Sequence, residues 1–443
     1  MTRWDPPSFH NIAWGWPKSI MRPIGTLLEQ RREKVDRSKV SFSELQPITI
    51  HFDGSIDRRV LEEGREYTMD LWYARPGDFV VAKIDLKNGA VAIIPEGWKN
   101  VVVTGHFAVY RPRPEILAQY IHRVVQAQFF KDHLWRNKVG GEGRKEVKLD
   151  FFENLEIPLL PLAAQKAIIR HWNNERIQAD KAMRRAADAR RGMDVRLYER
   201  LGLTLTESAS AIKIFAAAFS EIDRWSVSSN QARRVALDLD TGRYPPVDLG
   251  SLLTLAQYGT SEKANEERNG TPLIRMNNIV DGLLDLTKLK FVDLPLPERA
   301  KLLLSDGDIL FNRTNSKQLV GKCAVFHGSA DYVFASYLIR IRVNPNLGVP
   351  DFVSYLINSA VGRQQIDALS RQITGQANIN SEELRSLRIP LPPPRVQREL
   401  VREIDGGRAE VQKQRQLASE ILRLAELESE ELILGRKKME EDD

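Results

Sequence analysis

One cysteine in 443 residues, Cys323, leaves nothing to form an internal disulfide, and a reducing cytoplasm is the setting such a chain suits. It sits in an apolar run and reads as a small buried hydrophobe. Long hydrophobic runs are missing as well. Nothing approaches the roughly 18 apolar residues of a membrane span, and Met1-Thr2-Arg3-Trp4-Asp5-Pro6-Pro7 has no signal-peptide core. The expectation is a soluble, cytoplasmic protein with no membrane partner.

Catalytic signatures are absent too. The seven histidines, at 10, 51, 106, 122, 133, 171 and 327, lack the spacing of Cys/His zinc sites. Gly321-Lys322-Cys323 has neither the upstream glycine nor the hydroxyl of a phosphate-binding loop. Asp5-Pro6-Pro7-Ser8 lacks the aromatic residue of the amino-methyltransferase loop. Glu146-Val147-Lys148 has the Glu-x-Lys spacing of many nucleases, but no Pro-Asp precedes it. The reading is therefore no catalytic residues, no metal and no cofactor bound by this chain.

What is present is basic and duplicated. A formal charge of +6 and a pI near 9.2 favour an acidic partner, nucleic acid first. A length of 443 residues calls for two or more domains. Leu155, Ile157, Pro158 and Gln165 match Leu387, Ile389, Pro390 and Gln397, each 232 positions on, as do Gly143 with Gly375 and Val147 with Ile379. Gly77-Asp78-Phe79-Val80 pairs with Gly307-Asp308-Ile309-Leu310 at an offset of 230, and Ile24–Leu28 with Leu249–Leu253 at 225. A drifting offset means loop insertions inside a repeated unit.

Each unit runs from short strands to a helical stretch (115–135 and 350–369), then an Ile-Pro-Leu element, then a long segment that proline is placed to start. In the long segments Trp172, Ala179, Ala186 and Met193 recur every seven residues, as do Ile404, Val411, Ala418, Ala425 and Leu432. Ile168, Met183 and Leu197 flank the first stripe, and Leu400, Leu417, Ile421 and Leu424 the second. This is coiled-coil spacing, and the shared register predicts that the two helices pack on each other about a pseudo-twofold axis. At 1.5 Å per residue, residues 162–201 would span about 60 Å, a ruler between two globular units. Two unrelated amphipathic helices are the alternative.

The polar loops suggest what is measured. Asn312-Arg313-Thr314-Asn315-Ser316-Lys317-Gln318 separates two apolar runs, Asp308–Phe311 and Cys323–Phe326, that read as buried strands. Arg313 and Lys317 can neutralise phosphate or reach guanine, while Asn312, Asn315 and Gln318 offer the paired donor and acceptor that suit adenine. Residues 374–382 add Gln376 and Asn378, residues 141–148 add Arg144, Lys145 and Lys148, and "RMNNIVDG" adds Arg275, Asn277 and Asn278. The competing reading is Asn-rich turns that cap strands.

"GTPLIRMNNIVDGLLDLTKLKFV", "GDILFNRTNSKQLVGKCAVF", "ASYLIRIRVNP" and "TGQANINSEELRSLRIPLPPPRVQRELVREID" together resemble the specificity subunit of type I restriction–modification systems. The first copy follows the pattern more loosely, with Lys83-Ile84-Asp85 in place of Arg313-Thr314-Asn315, so that Lys83 becomes its candidate contact. The resemblance implies an α+β chain of two tandem α/β target-recognition domains, each followed by a long helix, the helices pairing as an antiparallel coiled coil. The boundaries expected are 1–160, a helix over 161–203, a connector over 204–245, a second domain over 246–391, a helix over 392–436 and a charged tail over 437–443. It further implies a non-catalytic chain that reads a split target in double-stranded DNA and docks two methyltransferase subunits and restriction subunits. S-adenosylmethionine would belong to the first of these partners and ATP with magnesium to the second. A stand-alone DNA methyltransferase or endonuclease, and a coiled-coil scaffold that binds no DNA, are the alternatives.

Overall fold

Apolar runs in the two halves of the chain pair into the same sheet twice. In this computed structural model, which describes residues 11–59, 69–137, 147–204, 239–373 and 376–438, Leu28–Arg31, Phe107–Pro112, Phe79–Ala82 and Val91–Ile93 lie side by side in that order. All neighbours are antiparallel. Leu253–Tyr258, Leu338–Val343, Ile309–Asn312 and Cys323–Val325 repeat the order and the directions. Each half also has a mixed sheet. Gln46–Ile50 runs parallel to Val101–Thr104 and antiparallel to Ile56–Arg58, as Thr271–Ile274 does to Val333–Phe334 and Lys290–Val292. The first half adds an edge strand, Leu71–Ala74.

The central strands are apolar on both faces because both faces are covered. Phe79 and Val81 point into a core with the helix residues Tyr120, Ile121, Val124 and Val125, while Val80 joins Val101 and Val103 of the second sheet. Ile309 and Phe311 likewise meet Phe352, Val353 and Leu356, and Leu310 meets Leu273, Ile274 and Val333.

The helical stretch after the sheets is broken in both copies, where the sequence reads as continuous. Ala118–Gln126 is followed by Gln128–Arg136, and Pro350–Asn358 by Ala360–Leu369. The breaks, Ala127 and Ser359, are extended at ψ 138° and 177° and stand 232 positions apart. Ser359 caps the helix Ala360–Leu369 by accepting from the Val361 N–H at 3.3 Å.

The long helices are Leu162–Leu201 and Pro394–Leu434. Each stops at a glycine in the left-handed region, Gly202 at φ +70° and Gly435 at φ +77°. The Arg243 N–H donates to the Leu201 carbonyl at 2.8 Å, and the Gly15 N–H to the Leu434 carbonyl at 2.7 Å. The chain divides into two compact units, residues 1–184 with 414–443 and residues 185–413, so the division falls inside each long helix.

Within the first unit Ala179, Ala182 and Ala418 form one buried cluster with Ile421 beside it; within the second, Ala186, Met193 and Val411 form another. Ile404 and Ala425 are buried, and Trp172 is half-buried beneath the Arg123 guanidinium at 3.7 Å. Met183 corrects the expected stripe. It is 49% exposed, because the inward position after Ala179 is Ala182, three residues on. Leu417 and Leu424 are exposed for the same reason.

Candidate nucleic-acid interface

In the second unit three polar stretches far apart in sequence meet. Thr314–Asn315, in the loop after the strand Ile309–Asn312, pairs with Gln376–Asn378, which pairs with Arg371–Ile373. The Thr314 hydroxyl donates to Asn378 Oδ1 at 3.0 Å. Asn315 Nδ2 lies 3.3 Å from Met276 Sδ, which brings in the stretch 275–278. Asn277, Ser316, Lys317 and Asn378 are exposed, and Arg275, Arg313, Thr314 and Asn315 half-buried. Among the described residues no carboxylate forms an ion pair with Arg275, Arg313 or Lys317, so the face keeps its positive charge.

Two residues expected to reach a ligand hold the turns instead. Asn278 is 3% exposed; its Oδ1 accepts from the Arg275 N–H at 2.9 Å, and its Nδ2 donates to the Asp285 and Lys288 carbonyls at 2.8 and 3.1 Å. Asn312 is equally buried and donates to the Leu319 carbonyl at 3.1 Å. A buried amide with those partners closes its own loop. Beneath the loop, buried Asp308 takes two hydrogen bonds from Arg342, at 2.7 and 2.9 Å, which hold the Arg342 guanidinium above its ordinary range.

Arg313 is the most constrained cation of this face. Its N–H donates to the Tyr337 carbonyl at 3.0 Å and its Nη1 to the Ser336 carbonyl at 3.4 Å. Its guanidinium lies 4.9 Å from the centre of the Tyr258 ring, whose hydroxyl accepts from the Ser381 N–H at 3.0 Å.

In the first unit Lys83, the residue after the strand Phe79–Ala82, makes the same pair of bonds. Its N–H donates to the His106 carbonyl at 3.0 Å and its Nζ to the Gly105 carbonyl at 2.8 Å. It borders a hollow of about 380 Å³ with Gln30, Arg32, Trp72 and Phe107. Lys148 is exposed just before the helix Leu149–Asn154, while Arg144 and Lys145 lie outside the described residues, as does the Gln376 side chain. Sequence reasoning missed Tyr258, His106 and Tyr337; the tyrosines sit inside apolar runs, where an aromatic residue reads as core.

Cys323 is fully buried, and burial pushes its thiol up to about 12. Among the described residues no group of three or more His, Cys, Asp or Glu side chains could hold a metal ion, and no helix is long and apolar enough to cross a membrane.

Residues 244–416 match the family described as the type I restriction modification DNA specificity domain. The chain is 31% identical over 157 residues to a putative type I restriction enzyme MjaX specificity subunit of Methanocaldococcus jannaschii, covering 35% of this chain and 37% of that protein. It is 25% identical over 304 residues to the type I restriction enzyme EcoKI specificity subunit of Escherichia coli K12, covering 67% and 60%. The alignments thus span less than two thirds of either relative's own length. Against the EcoEI specificity subunit of Escherichia coli, identity is 23% and the coverage 88% and 77%. In fold the chain is similar to one from a structure described as concerning complex assembly and conformational transition of the type I R-M system, with a TM-score of 0.56, 16% identity and coverage of 93% and 97%. Residues 244–416 are thus similar to a type I DNA specificity domain, and the chain is similar in sequence to type I specificity subunits.

Proposed function

We propose that this chain is a sequence-specific DNA-recognition subunit that reads a bipartite double-stranded target, one half with each recognition domain. One observation carries the reading. The same anchored cation beside the same turn occurs twice, as Lys83 with Gly105-His106 and as Arg313 with Ser336-Tyr337. A repeated mount with different side chains is what a reader of two unlike half-sites requires. The exposed Asn277, Lys317 and Asn378 and the half-buried Arg275 around it would grip phosphates and base edges in the major groove.

The long helices would pair as an antiparallel coiled coil, a pairing supported by the two alanine-lined clusters. Leu417, Leu424 and Leu427 leave an exposed apolar stripe on the second helix that suits a protein partner. In this reading two adenine methyltransferase subunits dock there and supply S-adenosylmethionine chemistry, and restriction subunits bring ATP and magnesium. The chain itself supplies the address.

The test is a pull-down of the tagged chain from its native cells, with sequencing of the methylated DNA. Recovery of an adenine methyltransferase in roughly twofold excess, with a split methylated motif, supports the reading. Methylation by the purified chain alone, or DNA binding that does not weaken as salt rises, overturns it.

A further inference from the structure

We propose that His106 and Tyr337 are the specificity-determining side chains of the two half-sites, each presented on a turn that an anchored cation holds still. The inference rests on the reading of the chain as a DNA-recognition subunit and names where, within each domain, a base is read.

The turn occupies one place in both copies. In the first it joins Val101–Thr104 of the mixed sheet to Phe107–Pro112 of the antiparallel sheet; in the second it joins Val333–Phe334 to Leu338–Val343. The two residues that precede the second strand, Gly105-His106 and Ser336-Tyr337, stand 231 positions apart, and the second copy has one residue more, Ala335, in the turn. Strands of two different sheets fix its ends.

Lys83 and Arg313 fix its middle. In each copy the main-chain N–H of the cationic residue binds the carbonyl of the second residue of the pair, and the cationic side chain binds the carbonyl of the first. Both carbonyls facing the loop are therefore occupied. The group left to project is the side chain of the second residue of the pair, because Gly105 has none and Ser336 has a short one. His106 is exposed and Tyr337 is 53% exposed. Among the described residues neither the imidazole nor the phenol has a hydrogen-bond partner.

A planar ring with a polar tip on a stiff mount suits base reading. The Tyr337 hydroxyl can donate and accept, and so can the imidazole of His106, so each can match a base edge while its ring lies against a neighbouring base or a thymine methyl. Holding the mount beforehand lowers the ordering cost at the moment of binding. Lys83 and Arg313 are then positioning residues. The mount repeats and the reader differs, which is the pattern that two different half-sites need.

The experiment uses the full chain assembled with its methyltransferase subunits. The methylated motif of the native system defines the two half-sites. Binding is then measured to that duplex and to duplexes with single base-pair substitutions in either half. For Tyr337→Ala, discrimination at one position of one half-site should fall about tenfold, the loss of one good base contact, while discrimination in the other half is kept. His106→Ala should do the reverse, and Tyr337→Phe should separate the hydroxyl from the ring. Arg313→Ala should reproduce the Tyr337→Ala pattern, with Arg313→Lys restoring much of the discrimination, since the first copy already uses lysine. Unchanged discrimination in both halves for the two alanine variants, or an equal loss in both halves, overturns the proposal. If the unsubstituted complex itself discriminates at no position, the recognition reading has failed instead.

Discussion

Replacing Gln397 by Met should loosen the second unit at one identifiable place. Gln397 is 0% exposed; its Oε1 accepts from the Val349 N–H at 2.7 Å, and its Nε2 donates to the Leu347 and Pro392 carbonyls at 3.0 and 2.7 Å. One amide thus joins the segment before the helix Pro350–Asn358 to the start of the second long helix. Methionine fills nearly the same volume and bonds none of the three groups. Each buried group left unpaired costs roughly 1 to 3 kcal/mol, so the low end for all three gives about 3 kcal/mol. In a chain of two units one melting temperature is poorly defined, so peptide-resolved hydrogen exchange is the better assay. Even half the cost, about 1.5 kcal/mol, should speed exchange of the Val349 amide roughly tenfold. Gln165 is the internal control. It bonds the Leu117 N–H and the Glu115 and Leu160 carbonyls in the same pattern, so Gln165→Met should act at Leu117 and leave Val349 alone. Unchanged exchange at Val349 in Gln397→Met, or equal changes at both sites in either variant, would refute the reasoning.

Gly435→Ala should destabilise the end of the second long helix by about 1 to 2 kcal/mol through its left-handed backbone alone. It should also dislodge Trp16, because a Cβ would lie 2.8 Å from the indole; faster exchange over residues 11–20 is the readout. Asn278→Ala should cost about 2 kcal/mol of stability by opening a buried turn, whereas Asn277→Ala should leave stability alone and weaken DNA binding, a contrast that denaturation and binding titrations together check. Burial pulls the His327 imidazole down, but the hydrogen bond and charge of Asp351, with the charge of Asp306, outweigh it and raise the group above 6.5. Its stabilising contribution is therefore complete below about 6.5 and fades as pH rises through the higher folded value. An NMR titration should show a raised midpoint that Asp351→Asn removes.

The duplication, the buried hairpin around Ile309–Asn312 and the start of the long helices were legible because hydrophobic runs and prolines mark them. One heptad position was legible too, through Ala179, Ala186, Val411 and Ala418. The partner positions were legible only in part: Leu400 is buried and Ile421 lies beside the alanine cluster, but buried Gln414 and Ser429 carry no apolar signal, while Leu417 and Leu424 face outward. Hydrophobicity pointed to the wrong side there. The helix breaks at Ala127 and Ser359 carry no glycine or proline to announce them. Among the asparagines, residue type says nothing of role. Asn277 and Asn278 are neighbours, one exposed and one buried in a turn, and only the fold separates them.

Comparison of the two copies shows which contacts tolerate replacement. Gln165 and Gln397 are the same residue because each bonds one N–H and two carbonyls of the main chain; Asn is shorter and Glu has no donor. Pairs of side chains can change together. In the first unit Arg123, lying on Trp172, binds Glu426 at 3.0 Å; in the second, 232 positions from each partner, Tyr355 donates to Asp194 at 2.8 Å. Both pairs tie a domain helix to a long helix, so the place is kept while an ion pair in one copy becomes a neutral–charged hydrogen bond in the other. Lys83 and Arg313 keep charge and position but not shape. The exposed turn residues His106 and Tyr337 keep only position. Freedom to vary thus rises from buried main-chain ligands to exposed tips, and it is greatest where two domains built alike would have to read different bases.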